Sequence, residues 1–79
     1  MAKATINERR AALTDMVNKA RNEWQIIRRD VNSAIRRANP GIDYWELWDK
    51  TDNDPRVKVA EAKLMALCDA ARIMGAELF

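Results

Sequence analysis

The chain has 79 residues, enough for one small domain, and the sequence predicts a single domain over residues 1–79. One cysteine and no histidine exclude an internal disulfide and argue against a zinc site. The net charge is only +2, but residues 1–41 carry nine basic and four acidic side chains, whereas residues 42–79 carry five and eight.

A long first helix is predicted from about residue 6 to residue 38. Thr5, followed three residues later by Glu8, is typical of a capping box at a helix start. Apolar residues then recur at alternating spacings of four and three, the period of a coiled coil. This apolar row is formed by Leu13, Val17, Ala20, Trp24, Ile27, Val31, Ala34 and Ala38. Pro40 ends the helix, because it disfavours the helical conformation in the residue before it.

The opposite face of this helix is polar, and we expect it to face solvent. It is formed by Asp15, Asn18, Asn22, Gln25, Arg29, Asn32 and Arg36. Arg10 falls within the apolar row, so the row is imperfect near the start of the helix.

A short second helix is predicted at about residues 44–50, in the connection that follows. Asp43 and Glu46 have the capping-box spacing and predict its start. The sequence Thr-Asp-Asn at residues 51–53 predicts a turn after it.

A third helix is predicted from Pro55 to about Met74 or beyond, with Asp54 as its N-cap and Gly75 as a candidate C-cap. Its apolar row is formed by Val57, Ala60, Leu64, Leu67, Ala71, Met74 and Leu78. A second apolar row, made mostly of small residues, is formed by Val59, Ala62, Ala66, Ala70 and Ile73. A helix that is apolar on two sides usually contacts two neighbours.

Together these helices predict an all-α fold, an antiparallel hairpin of two long helices with a short helix in the connection. Pairing Ala38 with Val57 sets Trp24 opposite Ala71, which places a large residue against a small one. In this register the third helix ends near residue 17 of the first helix.

Apolar residues that this pairing leaves uncovered predict a homodimer that completes a helical bundle. The alternatives for those near the N-terminus are a kink in the first helix or contact with the C-terminal Leu78 and Phe79. On folding, a domain of this size buries only about 60% of the surface that its unfolded chain exposes. Oligomerisation is the stabilising device that the composition leaves open. The dimer-interface candidates are Ile6, Leu13, Met16, Ala62, Ala66 and Ile73.

The composition also bears on location and on catalysis. The single Cys68 fits a reducing compartment, and no apolar run resembles a signal peptide or approaches the roughly 18 residues of a membrane span. We therefore expect a cytoplasmic protein without a membrane span. Because histidine, the commonest general base, is absent and no catalytic motif occurs, the sequence predicts a non-enzymatic protein without a cofactor or a metal.

Large apolar side chains cluster in the predicted short helix. Tryptophan and tyrosine are typical anchors of protein interfaces, so this cluster predicts a protein-binding site. The alternative is that its members, above all Leu47 and Trp48, plug the open end of the hairpin. The protein-binding candidates are Tyr44, Trp45, Trp48, Glu46 and Asp49.

In its overall build, the chain resembles the small helical accessory proteins of phages and bacteria, which include inhibitors of host or defence proteins. Small size, high charge density and the lack of motifs carry this resemblance. It implies a small regulator, an inhibitor or adaptor, that acts by binding another protein.

The alternative function is nucleic-acid binding by a basic flank of the first helix. Its candidates are Arg21, Arg28, Arg29, Arg36 and Arg37. Spacings of seven residues keep them on adjoining strips of one side, which suits contacts with phosphates. Interspersed acids such as Glu23 and Asp30 favour instead a surface neutralised within the chain. The aromatic residues do not alternate with these arginines along the sequence, so a base-stacking platform is not indicated.

Overall fold

The computed structural model describes residues 5–75, which form three α-helices and no strand. Helix α1 spans Ile6–Ala38, α2 spans Tyr44–Asp52 and α3 spans Pro55–Ile73. The long α1 packs against α3. The all-α prediction is therefore confirmed for this part of the chain. The predicted packing of Leu78 and Phe79 lies outside the described residues.

Helix α1 has the bounds that its end signals predict. The Thr5 hydroxyl accepts a hydrogen bond from the Glu8 backbone N–H at 3.1 Å, and the Glu8 carboxylate accepts one from the Thr5 N–H at 3.3 Å. This capping box satisfies two backbone donors that have no partner within the helix. At the other end, the Asn39 N–H donates to the Ile35 carbonyl, and Gly41 adopts a positive φ of 85° that leads the chain into the connection.

Helix α2 is two residues longer than predicted. The Asp43 carboxylate caps its start, accepting from the backbone N–H groups of Trp45 and Glu46 at 3.1 and 3.4 Å. The predicted turn at 51–53 is wrong for its first two residues, which belong to the helix. Thr51 is fully buried, and its hydroxyl donates to the Leu47 carbonyl at 2.7 Å, which lets a polar side chain stay inside the helix.

Helix α3 begins where its signals predict and ends one residue before the predicted Met74, so that Met74 rather than Gly75 is its C-cap. The Asp54 carboxylate accepts from the Arg56 backbone N–H at 2.8 Å, and Pro55 occupies the first helical position. The Arg56 guanidinium and the Arg56 backbone N–H hold the pKa of Asp54 below its ordinary value. The helix ends at Ile73, and Gly75 follows with a positive φ of 71°.

The core lies between the predicted apolar rows of the two long helices, with one residue added by α2. Its buried apolar members are Val17, Ala20, Val31, Leu47, Val57, Ala60 and Ala71. All but Leu47 belong to those two rows. The rows therefore correctly identify which sides of α1 and α3 meet.

The register of the two long helices differs from the prediction. Glu23 on α1 pairs with Lys63 on α3 at 3.3 Å, and the Arg10 guanidinium donates to the Met74 carbonyl at 2.6 Å. The predicted pairing of Trp24 with Ala71 is therefore wrong, since α3 lies roughly two to three turns closer to the start of α1.

Helix α2 explains this shift, because it packs on the C-terminal half of α1, where the first part of α3 was expected. Its Thr51 lies against Asn32, and its Asp52 lies against Arg28. Helix α3 consequently covers more of the N-terminal half of α1, and Leu13, predicted to be uncovered, is half-buried.

Asn32 does not face solvent as predicted. It is only 7% exposed, and its side-chain amide donates to the Thr51 hydroxyl at 3.3 Å. Its position on the polar face of α1 is the place where α2 docks. This buried polar pair therefore fixes how α2 sits on α1.

Candidate protein-binding surface

Helix α2 is held in place by three kinds of contact. Leu47 and Thr51 point into the core and are buried. Arg28 on α1 donates two hydrogen bonds to the Asp52 carboxylate, with Nε to Oδ1 at 2.8 Å and Nη2 to Oδ2 at 3.2 Å. These contacts give the short helix a fixed position, although nine residues alone rarely form a stable helix in water.

An arginine between two indole rings completes this attachment. The Arg28 guanidinium carbon lies 4.4 Å from the ring centroid of Trp48 and 5.3 Å from that of Trp24. The hydrogen bonds to Asp52 raise the pKa of Arg28 above its already high ordinary value. Arg28 is therefore a permanent charge that links α1 to the middle and to the last residue of α2.

The outward side of α2 presents two aromatic side chains. Trp45 is 77% exposed and Tyr44 is 62% exposed. Their ring centroids lie 5.3 Å apart at 84°, an edge-to-face arrangement that holds each ring against the other. Exposed acidic side chains surround them. We call this surface the elbow patch; it consists of Asp43, Tyr44, Trp45, Glu46 and Asp49.

Trp48, the remaining aromatic candidate, is half-buried rather than displayed. Its ring centroid lies 4.4 Å from the Arg28 guanidinium carbon and 6.4 Å from the centroid of the Tyr44 ring. The indole N–H groups of Trp48 and Trp24 are both buried, and neither has a hydrogen-bond acceptor among the described residues. These contacts favour the alternative in which Trp48 plugs the end of the hairpin, and they leave Tyr44 and Trp45 as the exposed pair.

The five arginines of the basic flank do not act as one set. Arg28 is paired with Asp52, and Arg21 is half-buried. Arg37 is exposed, and its Nε donates to the Ser33 carbonyl at 3.4 Å. Arg29 and Arg36 are exposed side chains on the same side of α1.

A cleft that the sequence did not reveal lies beside Arg29 and Arg36, between α1 and α2. It has a volume of about 370 Å³. We call it the arginine cleft; it is lined by Gln25, Arg28, Arg29, Asn32, Ser33, Arg36 and Trp48. The α1 side of the cleft could have been predicted from the sequence, because positions 25, 29, 32 and 36 fall on one side of a helix. The approach of Trp48 to the arginines was not readable, because it depends on how α2 docks.

The predicted dimer-interface residues differ in exposure. Leu13 is half-buried, whereas the other five candidates are exposed. Ile73 is 86% exposed and lies on the second apolar row of α3 with Ala62 and Ala66. Exposed large apolar residues that the prediction did not include among the candidates are Ile26, Val59 and Met65.

In residues 5–75, no three histidine, cysteine or acidic side chains come close enough together to hold a metal ion. None of the described helices combines the length and apolar character that crossing a bilayer requires. Comparison of the chain with protein-family models, with curated proteins and with solved structures gives no match.

Proposed function

We propose that this protein is a non-enzymatic regulator, an inhibitor or adaptor, that binds another protein through the elbow patch. The observation that supports this proposal is the exposure of Trp45 and Tyr44 side by side on an anchored helix. Aromatic side chains of this size dominate the energetics of protein interfaces when a partner buries them.

The anchoring of α2 supports the same proposal. Leu47 and Thr51 are buried beneath the patch, and Arg28 binds Asp52 at the end of the helix. The backbone that carries the two rings is therefore already ordered before any partner arrives. Binding to an ordered surface loses less conformational entropy, which leaves more of the contact energy as affinity.

The charges around the two rings indicate the chemistry of the partner. Asp43, Glu46 and Asp49 are exposed around them, and Lys50 lies 3.6 Å from the Glu46 carboxylate. A complementary surface has an apolar pocket for Trp45 and lysine or arginine side chains at its rim. Rim charges of this kind mainly raise the rate of association and make it depend on salt.

A homodimer is compatible with this proposal. The exposed candidates on α3 are Ala62, Ala66 and Ile73, and they belong to a different helix from the elbow patch. Two copies joined along α3 would each keep their two exposed aromatic rings. Small side chains between larger ones allow two helices to approach closely, which is what supports self-association through this side.

The test of the elbow patch uses the whole protein and two alanine variants as baits in extracts of the organism that encodes it. Trp45→Ala removes the most exposed ring, whereas Ile26→Ala removes an exposed apolar side chain on another helix. We expect the partner that wild type and Ile26→Ala retain to be lost with Trp45→Ala. For the purified partner, we expect Trp45→Ala to weaken binding by about thirty-fold, the effect of a typical hot spot. A partner bound equally by a folded Trp45→Ala variant would contradict the proposal.

A further inference from the structure

The lining of the arginine cleft is basic and contains no carboxylate. Three of its side chains are arginines, three are neutral hydrogen-bonding groups, and the last is the indole of Trp48. The charge of Arg28 is already balanced by Asp52. Within residues 5–75, neither Arg29 nor Arg36 forms an ion pair. The cleft therefore holds two positive charges that no described group neutralises.

These two charges are spaced along the helix. Arg29 and Arg36 are seven residues apart, which corresponds to two turns and about 10 Å along the axis of α1. The Gln25 amide and the Ser33 hydroxyl share the cleft with them. Arginine, glutamine and serine are side chains that contact the phosphate and sugar groups of nucleic acids.

We propose that the arginine cleft binds the phosphate backbone of a polynucleotide, with Arg29 and Arg36 as its principal contacts. This binding is separate from protein recognition by the elbow patch. The cleft is open to solvent rather than enclosed, and its two exposed arginines follow one another along α1, which suits an extended row of phosphates. A free nucleotide, by contrast, is usually bound in a cavity that buries most of its surface.

The position of Trp48 adds a second property to this site. The Arg28 guanidinium lies over the Trp48 ring at 4.4 Å and occupies that face, and the Tyr44 ring lies 6.4 Å away in an edge-to-face arrangement. A base that stacks needs a free ring face. We therefore expect contacts with the backbone phosphates to supply most of the affinity, with little dependence on the base sequence.

The experiment measures binding of fluorescently labelled duplexes, one DNA and one RNA, each of about 20 base pairs, at several salt concentrations from about 50 mM upward. It compares wild type with the double variant Arg29→Gln/Arg36→Gln. The control is Arg9→Gln/Arg37→Gln, which removes the same charge from exposed positions of α1 outside the cleft. Circular dichroism of each variant verifies that the helices remain formed.

We expect the cleft variant to bind at least one duplex about ten-fold more weakly than wild type at the lowest salt, and the control to lose less than about three-fold. Because each phosphate contact contributes about 0.9 to the slope of log affinity against log salt on duplex DNA, the cleft variant should show a slope about 1.8 smaller. Trp45→Ala should leave this binding unchanged, so failure of the elbow-patch proposal would be seen separately.

Three outcomes would overturn the proposal. The first is equal weakening by the cleft and control variants, which would indicate a general charge attraction. The second is no binding of wild type to either duplex at the lowest salt. The third is displacement of a bound duplex by adenosine triphosphate at the same phosphate concentration, which would indicate a small phosphate ligand instead.

Discussion

Arg28 and Asp52 form a two-bond ion pair that joins the middle of α1 to the last residue of α2, with donor–acceptor distances of 2.8 and 3.2 Å. Two indole rings flank the same guanidinium. An arginine predicted to contact nucleic acid is thus a structural residue. It holds the helix that displays Trp45 and forms one wall of the arginine cleft.

Replacing Arg28 should therefore weaken the fold. We expect Arg28→Ala to lower the free energy of unfolding by about 1–2 kcal/mol, combining an ion pair and contacts with two rings. The ion pair contributes little of this, because the Arg28 and Asp52 side chains are 33% and 47% exposed and water screens the pair. Urea unfolding followed by tryptophan fluorescence measures the effect. Arg29→Ala is the matched control, and an equal effect of both variants would argue against the structural role of Arg28.

The buried pair of Asn32 and Thr51 should be sensitive to the loss of one partner. Thr51→Val keeps the shape but removes the hydroxyl, which leaves the Asn32 amide buried without its acceptor. We expect this to lower the free energy of unfolding by about 1–3 kcal/mol. The double variant Thr51→Val/Asn32→Leu should recover much of that loss, because no unpaired polar group remains. If the loss of stability in the double variant equals the sum of the losses in Thr51→Val and Asn32→Leu, the hydrogen bond does not couple these two residues.

The ends of the helices were predictable because their signals are local. A capping side chain and the backbone N–H that it satisfies lie two or three residues apart, as with Thr5 and Glu8 or Asp54 and Arg56. The apolar rows were equally readable, since the 3.5-residue period decides which side of each long helix is buried. Sequence reasoning therefore located three helices and the sides on which α1 and α3 meet.

The register was not predictable, and the sequence did not decide between the two interpretations of the aromatic residues in α2, because both depend on contacts between distant residues. The two additional residues of α2 are helical where Thr51 can be buried against Asn32 on another helix. The docking of α2 moves α3 along α1, and it sends Trp48 inward beside Arg28 while Trp45 stays outside. The period of a pattern describes one helix at a time, so it does not contain this information.

Truncating an exposed residue of α2 should change the free energy of unfolding much less than truncating a buried one. Trp45→Ala should change the free energy of unfolding by no more than about 0.5 kcal/mol, because 77% of this residue is exposed. Leu47→Ala should lower it by about 2–4 kcal/mol, because this side chain fills the core. Thermal and urea unfolding of the two variants give the comparison. Large destabilisation by Trp45→Ala would mean that the ring supports the fold and would weaken the case for the elbow patch.

The N-cap of α3 should make stability depend on pH in the acid range. The pKa of Asp54 is lowered from its ordinary value of 3.8, chiefly by hydrogen bonds from the Arg56 side chain and backbone. The unfolded chain therefore binds a proton at Asp54 more readily than the folded protein does. The stabilisation by ionised Asp54 is complete at pH values above its ordinary pKa. It is lost as pH falls through the lowered value in the folded protein.

The variant Asp54→Asn isolates this effect, because asparagine also caps helices but carries no titrating charge. We expect wild type to have the higher melting temperature near neutral pH and the difference to vanish in strong acid. Melting curves followed by circular dichroism at several pH values provide the measurement. A difference that stays constant across the acid range would show that the charge of Asp54 contributes nothing.

Self-association through the second apolar row of α3 makes a prediction of its own. If two copies pack along this row, Ala66→Glu places a charge against a close helix and should convert a dimer into a monomer. Ala12→Glu introduces the same charge at an exposed alanine of α1 and should leave the mass unchanged. Light scattering across a range of concentrations measures the solution mass of each protein. Wild type that stays monomeric at every concentration, or equal dissociation by both variants, would exclude this interface, and Ala62, Ala66 and Ile73 would remain exposed in the free protein.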